Sequence, residues 1–139
     1  MRKDLVDFLY KMCKCEYSEL LGIAEISVER TFDIMNRYAA SKAEATDALS
    51  LFLVNALSAD GRFSEKEEKL ITDLLGDSKL LTERTLRLDE KQRARCELLI
   101  DGLSGDELSD FCMLAIVIAS VDESIGIDEL KYLDDLLSK

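Results

Sequence analysis

The sequence predicts an all-α protein, a compact single-domain bundle of about seven to eight helices. Apolar residues recur at helical spacing almost throughout, and no segment alternates with the period of two that is typical of a strand. Pro is absent and only six of the 139 residues are Gly, so few positions interrupt a helix. A helix–acidic loop–helix pattern also occurs twice. Because this length suits one core, we expect residues 1–139 to form one domain.

The N-terminal residues 1–40 show helical periodicity but contain no recognised motif. An apolar stripe predicts a first helix over about residues 3–14. Residues 20–24 predict a short second helix, and Ser27 is a candidate N-cap for a third helix. The residues of the third helix predicted to face inward are Val28, Phe32, Met35, Tyr38 and Ala39.

Helix signals are stronger in the rest of the chain. Ser41 is a candidate cap for a helix over about 42–59, whose later part is apolar on most sides, as expected of a central helix. Ser64 with Glu67, and Ser104 with Glu107, match the S-x-x-E capping box, and Gly76 then ends the helix that begins at Ser64. The remaining predicted helices cover about 65–75, 89–102, 105–121 and 128–138. The helix over 105–121 is predicted to be the second central helix. The connector 77–88 receives no assignment.

An internal repeat relates residues 56–75 to residues 118–137. The two segments align without a gap, and seven of the twenty pairs are identical. The identical residues of the first copy are Ser58, Asp60, Glu67, Lys69, Asp73, Leu74 and Leu75. With the apolar helices that precede them, the pseudo-repeats span 48–75 and 110–137. Each unit is a buried helix, an acidic turn and an amphipathic helix, and two such units can share a core.

Charge is distributed unevenly along the chain. The net charge is −11, and residues 97–139 contribute eleven acidic and two basic residues. This acidic surface repels phosphate backbones and therefore argues against nucleic-acid binding. It favours a cation or a protein partner with a basic surface. The longest uninterrupted apolar run, 111–119, is too short to cross a bilayer, so we expect no membrane insertion.

Both acidic turns gather oxygen atoms at helix ends. Asp60 and Asp122 follow a helix, beside unpaired carbonyls and the negative end of the helix dipole, so a cation would relieve their charge. Glu67 and Glu129 lie near the first turn of the next helix. Oxygen ligands of this kind suit calcium or magnesium, and a divalent cation is therefore the candidate cofactor. The candidate metal-ligating residues are Asp60, Ser64, Glu67, Asp122, Asp128 and Glu129.

A purely structural interpretation explains much of the same pattern. Ser64 and Glu67 serve as a capping box without any ligand, which is the more frequent use of this motif. The loops also fail the EF-hand pattern, because the position eleven residues after each first Asp holds Ile71 or Leu133 instead of an acid. Asp128 is a candidate cap of the last helix.

The stretch ADGRFSEKE at residues 59–67 resembles the duplicated DG-x-[apolar]-[Ser/Asp]-x-x-E signature of tellurite-resistance protein B (TerB)-like domains. Residues 119–130 resemble it in a second copy, with Glu123 in place of the Gly. A membrane-anchored J-domain co-chaperone contains the same fold in its cytoplasmic part. The resemblance implies a compact helical bundle that is cytoplasmic and non-enzymatic, and that acts in bacterial metal or envelope stress. It also implies that the six candidate ligands form a metal-binding acidic face.

Catalytic signals are weak throughout the chain. It has no His, which removes the usual general base, and its glycines are too scattered for a phosphate-binding loop. We therefore expect a protein that is not an enzyme, with a carboxylate-based metal-dependent enzyme acting on a small substrate as the alternative. A stand-alone co-chaperone docking domain is a third, minor hypothesis. The four cysteines are interpreted as reduced cytoplasmic thiols: Cys13, Cys15, Cys96 and Cys112.

A basic stretch interrupts the acidic sequence and comprises Arg84, Arg87, Lys91, Arg93 and Arg95. One interpretation is a solvated helix face paired with the neighbouring acids Glu83, Asp89 and Glu90. The other is that this stretch docks on the acidic C-terminal third, either within the chain or in a second copy. Docking in a second copy implies a weak homo-oligomer whose association depends on ionic strength.

Overall fold

The computed structural model describes residues 3–57, 63–122 and 135. Within these residues it contains seven α-helices, a 3-10 turn and no strand, which confirms the all-α prediction. The helices are α1 (Lys3–Cys13), α2 (Tyr17–Tyr38), α3 (Lys42–Leu57), α4 (Glu65–Leu75), α5 (Ser78–Leu86), α6 (Glu90–Asp101) and α7 (Gly105–Ala119), and the 3-10 turn η1 (Ser120–Asp122) continues α7. The helix predicted over 128–138 lies outside the described residues.

The core forms around α3 and α7, the two helices that the sequence predicted to be central. Both are buried on most of their surface. Phe52 of α3 and Phe111 of α7 are fully buried and meet edge to face, with ring centroids 5.3 Å apart and an interplanar angle of 87°. This geometry suits the ring quadrupoles, because a positive edge faces a negative ring surface.

The helix α2 is one continuous element of 22 residues, so the prediction of two helices separated at Ser27 is wrong. No Pro or turn sequence interrupts it, and the Ser27 carbonyl accepts a hydrogen bond from the Thr31 hydroxyl at 2.9 Å. The inward assignment of Tyr38 is also wrong, since half of its surface is exposed. At about 33 Å, α2 is long enough to pack against α3, α4 and α7.

Helix ends largely follow the predicted capping motifs. Ser41 Oγ accepts the Glu44 N–H at 3.1 Å, and Ser104 forms a reciprocal capping box with Glu107 at the start of α7. Gly76 ends α4 with φ of 101°, a left-handed conformation that favours glycine. The unassigned connector contains α5, which Asp77 caps by accepting the Lys79 N–H at 2.9 Å.

Salt bridges join the second central helix to α2. Arg30 lies 3.4 Å from Asp110, and Arg37 lies 3.8 Å from Glu107. Two acids of the C-terminal third, Glu107 and Asp110, therefore pair with arginines of the N-terminal region.

Candidate functional site

The first acidic turn is anchored by the start of α4. The Ser64 N–H donates to Glu67 Oε1 at 2.9 Å, and the Glu67 N–H donates to Ser64 Oγ at 3.1 Å. Phe63 is buried beside this cap, and the Glu67 side chain is itself only 5% exposed. Phe63 is therefore part of the core. Both predicted ligands in this part of the loop also have a structural role, since each satisfies a backbone amide at the helix end.

The other predicted ligands lie mostly outside the described residues. This applies to Asp60, Asp128 and Glu129, while Asp122 is described only through its backbone at the end of η1. Among residues 3–57, 63–122 and 135, no group of three or more Cys, Asp or Glu side chains is arranged to hold a metal ion. The six-residue ligand set therefore remains a prediction.

The start of the second acidic turn packs against the first unit. The 3-10 turn η1 contacts α4, the helix that follows the first acidic loop, and it also contacts α1. Ser120, which is identical with Ser58 in the repeat, is buried and donates its hydroxyl hydrogen to the Ile116 carbonyl at 2.6 Å. The segment leading into the second loop is therefore held against the helix that carries Glu67.

Several residues of α4 that are identical in the two repeat copies have clear structural partners. Asp73 accepts a hydrogen bond from the Tyr17 hydroxyl, and Lys69 Nζ lies 4.5 Å from the centre of the Tyr17 ring. Leu74 packs against the core. Three of the seven identities thus attach α4 to its surroundings, and a fourth, Glu67, caps the helix.

The structure contains a groove that the sequence did not predict, formed by the beginning of α3 with α5 and α6. It consists of two adjoining cavities of about 360 and 280 Å³ that share Ala43, Asp47 and Gln92. We call it the α3–α5–α6 groove. The side chains specific to the first cavity are Leu80, Glu83, Arg84, Arg87 and Leu88, and those specific to the second are Ser41, Glu44, Lys91, Arg95 and Cys96.

Ion pairs cross this groove and locate the basic stretch. Arg84 Nη1 lies 3.0 Å from Asp47 Oδ1, and Arg95 Nε lies 2.5 Å from Glu44 Oε2. Within the described residues, these two arginines therefore pair with acids of α3. Part of the acidic C-terminal third lies outside the described residues, so the docking of the basic stretch on that third stays a prediction. Arg87 pairs with a predicted neighbour, Glu83, at 4.0 Å. The basic residues were visible in the sequence. The partner of Arg84 was not, because Arg84 lies on α5, a helix that the sequence did not predict.

Hydrogen bonds favour the ionised form of Glu44. The Ala40 N–H donates to its Oε1, and with the Arg95 interaction this holds the pKa of the Glu44 carboxyl below its ordinary value, although partial burial opposes the shift. Glu44 is therefore charged at neutral pH and stabilises both the start of α3 and the position of Arg95.

The four cysteines all lie within the described residues and form no disulfide. Cys96 is buried at the wall of the groove, and burial together with the nearby Asp47 and Glu44 charges raises its pKa to about 11. Cys96 is therefore protonated at neutral pH and a poor nucleophile. Cys112 is also buried, while Cys13 and Cys15 are half-buried. The Cys15 thiol lies 3.5 Å from the Lys11 carbonyl, so it faces the end of α1.

No protein-family model matches the sequence, and neither a curated protein nor a solved structure does so. The resemblance to TerB-like domains therefore rests on the residues of the two acidic turns alone. Among the described helices, none combines the length and the apolar character needed to span a bilayer.

Proposed function

We propose that the protein is a non-catalytic, TerB-like interaction module of the bacterial cytoplasm that acts in metal or envelope stress. Its two acidic loops bind a divalent cation or a basic partner. The packing of η1 against α4 is the observation that carries this proposal. Because of it, the second acidic loop begins against the helix into which the first acidic loop leads.

Anchoring of the first loop supports a binding role. Leu57, the last residue of α3, and Phe63, just before α4, are both buried. The residues between them, 58–62, connect two points of the core and include Asp60. Segments positioned by a rigid scaffold commonly carry binding residues, which supports a binding role for this segment.

The chemistry of the loops supports an oxygen-ligated cation. Ser64 Oγ and Glu67 Oε1 interact with backbone amides, so in this proposal Glu67 contributes mainly negative charge. Asp60 and the acids of the second loop, Asp122, Asp128 and Glu129, supply the ligands. The excess of nine negative charges in residues 97–139 attracts either a cation or a basic peptide.

Thermal unfolding with and without calcium or magnesium tests the proposal. We expect the wild-type Tm to rise, by an amount on the order of 10 °C when the ion is present at about one hundred times its Kd. The double variant Asp60→Asn, Glu67→Gln should abolish the rise. Gln preserves the capping box at this position, so the variant removes charge without removing the cap.

The matched control is Glu65→Gln with Glu68→Gln. These two acids are exposed in the same first turn of α4, and their neutralisation changes the net charge by the same amount. The control should keep the rise in Tm. If no divalent ion raises the wild-type Tm, the cation version is wrong. A short Lys-rich peptide then tests the basic-partner version by the same variants, and failure of both would overturn the proposal.

A further inference from the structure

The α3–α5–α6 groove has a layered arrangement of charge. Glu44 and Asp47 lie low in the groove, with side chains 18% and 20% exposed. Their partners lie further out, with Arg84 at 41% and Arg95 at 57%. These two acids are therefore partly covered by the arginines that they bind. The other exposed charges that line the groove are mostly basic, with Glu83, 54% exposed, as the exception.

Several hydrogen-bond donors at this surface are uncommitted within the described residues. Arg95 uses its Nε–H for Glu44, which leaves its two terminal amino groups available. Lys91 makes no ion pair with any described residue. Arg87 is 81% exposed, and its pair with Glu83, at 4.0 Å, is an exposed i,i+4 pair. Such pairs contribute little to stability, so Arg87 can exchange its partner at small cost.

The first cavity adds an apolar surface to these cations. Leu80 is 55% exposed although it lines the cavity, and the half-buried Leu88 and the exposed Ala43 line the same cavity. A leucine-sized side chain placed here would cover Leu80 and remove apolar surface from water. The groove thus combines one apolar contact area with cations on its rim.

We propose that the α3–α5–α6 groove binds a short acidic peptide segment of a partner protein, with a leucine-type side chain against Leu80 and Leu88. Carboxylates of the peptide pair with Arg87, Lys91 and Arg95, whose donors suit carboxylate recognition. This site lies at the beginning of α3, whereas the first acidic loop follows the end of that helix, and it has the opposite preference for charge. A nucleic acid fits less well, because the groove contains three acids and the whole chain has a net charge of −11.

Fluorescence anisotropy with two labelled peptides tests this proposal. The first is a short peptide of alternating Glu and Leu, and the second replaces each Leu with Ser. We expect saturable binding of the Leu peptide that weakens as salt is added. The variant Arg87→Glu, Lys91→Glu should weaken binding about tenfold or more, because two attractive contacts become repulsive. Leu80→Ser should weaken the Leu peptide several-fold and leave the Ser peptide unchanged.

The matched control is Lys14→Glu with Lys66→Glu, two exposed lysines outside the groove whose reversal changes the net charge equally. Circular dichroism and Tm establish that each variant is folded. An unchanged affinity in the control and a loss in the groove variant support the proposal. Equal losses in both, no saturable binding of the Leu peptide, or tighter binding of a single-stranded oligonucleotide through the same residues would each overturn it.

Discussion

Two tyrosines at opposite ends of α2 attach the two repeat units in different ways. Tyr17 donates its hydroxyl hydrogen to Asp73 of α4, in the first unit, and its ring lies beneath Lys69. Tyr38 donates to Glu107 Oε2 at 2.7 Å, in the first turn of α7, the helix whose later part begins the second unit. The first attachment is partly buried, while Tyr38 is half exposed.

The difference between these attachments affects the tyrosine pKa values. Burial first, and then the hydrogen bond and charge of Asp73, raise the pKa of Tyr17 to about 12. The pKa of Tyr38 is also raised, mainly through its hydrogen bond to Glu107, but Arg37 opposes the shift. The comparison shows that α2, which has no recognised motif, joins both units, with an aromatic contact at one end and a surface charge network at the other.

The largest expected effect concerns the contact between the two central helices. Phe52→Ala and Phe111→Ala should each lower the free energy of unfolding by about 3–5 kcal/mol, because each leaves a cavity in the core. Urea denaturation of both variants and of the double variant measures this. A coupling energy of about 0.5–1.5 kcal/mol is expected from the edge-to-face pair. Strictly additive losses would show that the two units do not depend on each other through these rings.

The next effect distinguishes the two tyrosine attachments. Tyr17→Phe should lower the free energy of unfolding by about 1.5 kcal/mol, since the hydrogen bond to a carboxylate is lost. Tyr38→Phe should lower the free energy of unfolding by less, because water can take the place of the lost hydroxyl at the Glu107 carboxylate. Urea denaturation at neutral pH measures both variants. Equal losses would contradict the distinction between a partly buried and an exposed attachment.

The Tyr17 contribution should also depend on pH. The folded-state pKa lies above the ordinary value of 10.0, so the folded state favours the protonated phenol. The stabilisation is therefore fully present below pH 10.0 and is lost as the pH rises towards about 12. The difference in stability between wild type and Tyr17→Phe should shrink over this range. A difference that stays constant would contradict the proposed role of the Asp73 carboxylate.

The two capping boxes offer a smaller and more local comparison. Ser64→Ala and Ser104→Ala should each cost about 1 kcal/mol. Ser64→Ala should cost more, because it leaves the N–H of a buried Glu67 without its acceptor, whereas the corresponding turn at Ser104 is exposed. Urea denaturation measures the loss of stability in both variants. A larger loss for Ser104→Ala would show that burial of the cap does not set its contribution to stability.

The smallest expected effect comes from the arginines that join α2 to α7. Arg30→Ala should change the free energy of unfolding by about 0.5 kcal/mol or less, because Arg30 is 65% exposed and lies 3.4 Å from Asp110. Any effect should also diminish at high salt. Urea denaturation at two salt concentrations measures it. A large loss that is insensitive to salt would instead indicate a packing role for the arginine side chain.

The local parts of the fold were predictable from particular residues. Ser41, the Ser64–Glu67 pair and the Ser104–Glu107 pair each begin the helix that they were predicted to begin, and Gly76 ends α4. The apolar faces of α3 and α7 predicted their burial. These features depend on side chains acting within about one helical turn, so the neighbouring sequence contains the information.

The prediction at Ser27 shows the limit of such local signals. A residue suited to capping lies there inside a continuous helix, because packing of α2 along its whole length outweighs a single cap preference. The short helix α5 was missed for the related reason that its own sequence has little amphipathic pattern. The candidate metal site remains a prediction from sequence, with only Ser64 and Glu67 described through their side chains.

Local sequence was enough to predict the helical class, the helix caps and the buried helix and amphipathic helix of the first repeat unit. Only the tertiary structure decided which charges meet: Arg84 and Arg95 with α3, Arg30 and Arg37 with α7, and Tyr17 with α4. The physical reason is that helix formation and capping are local. The partner of a surface charge instead depends on how distant helices pack, so net charge along the chain does not reveal it.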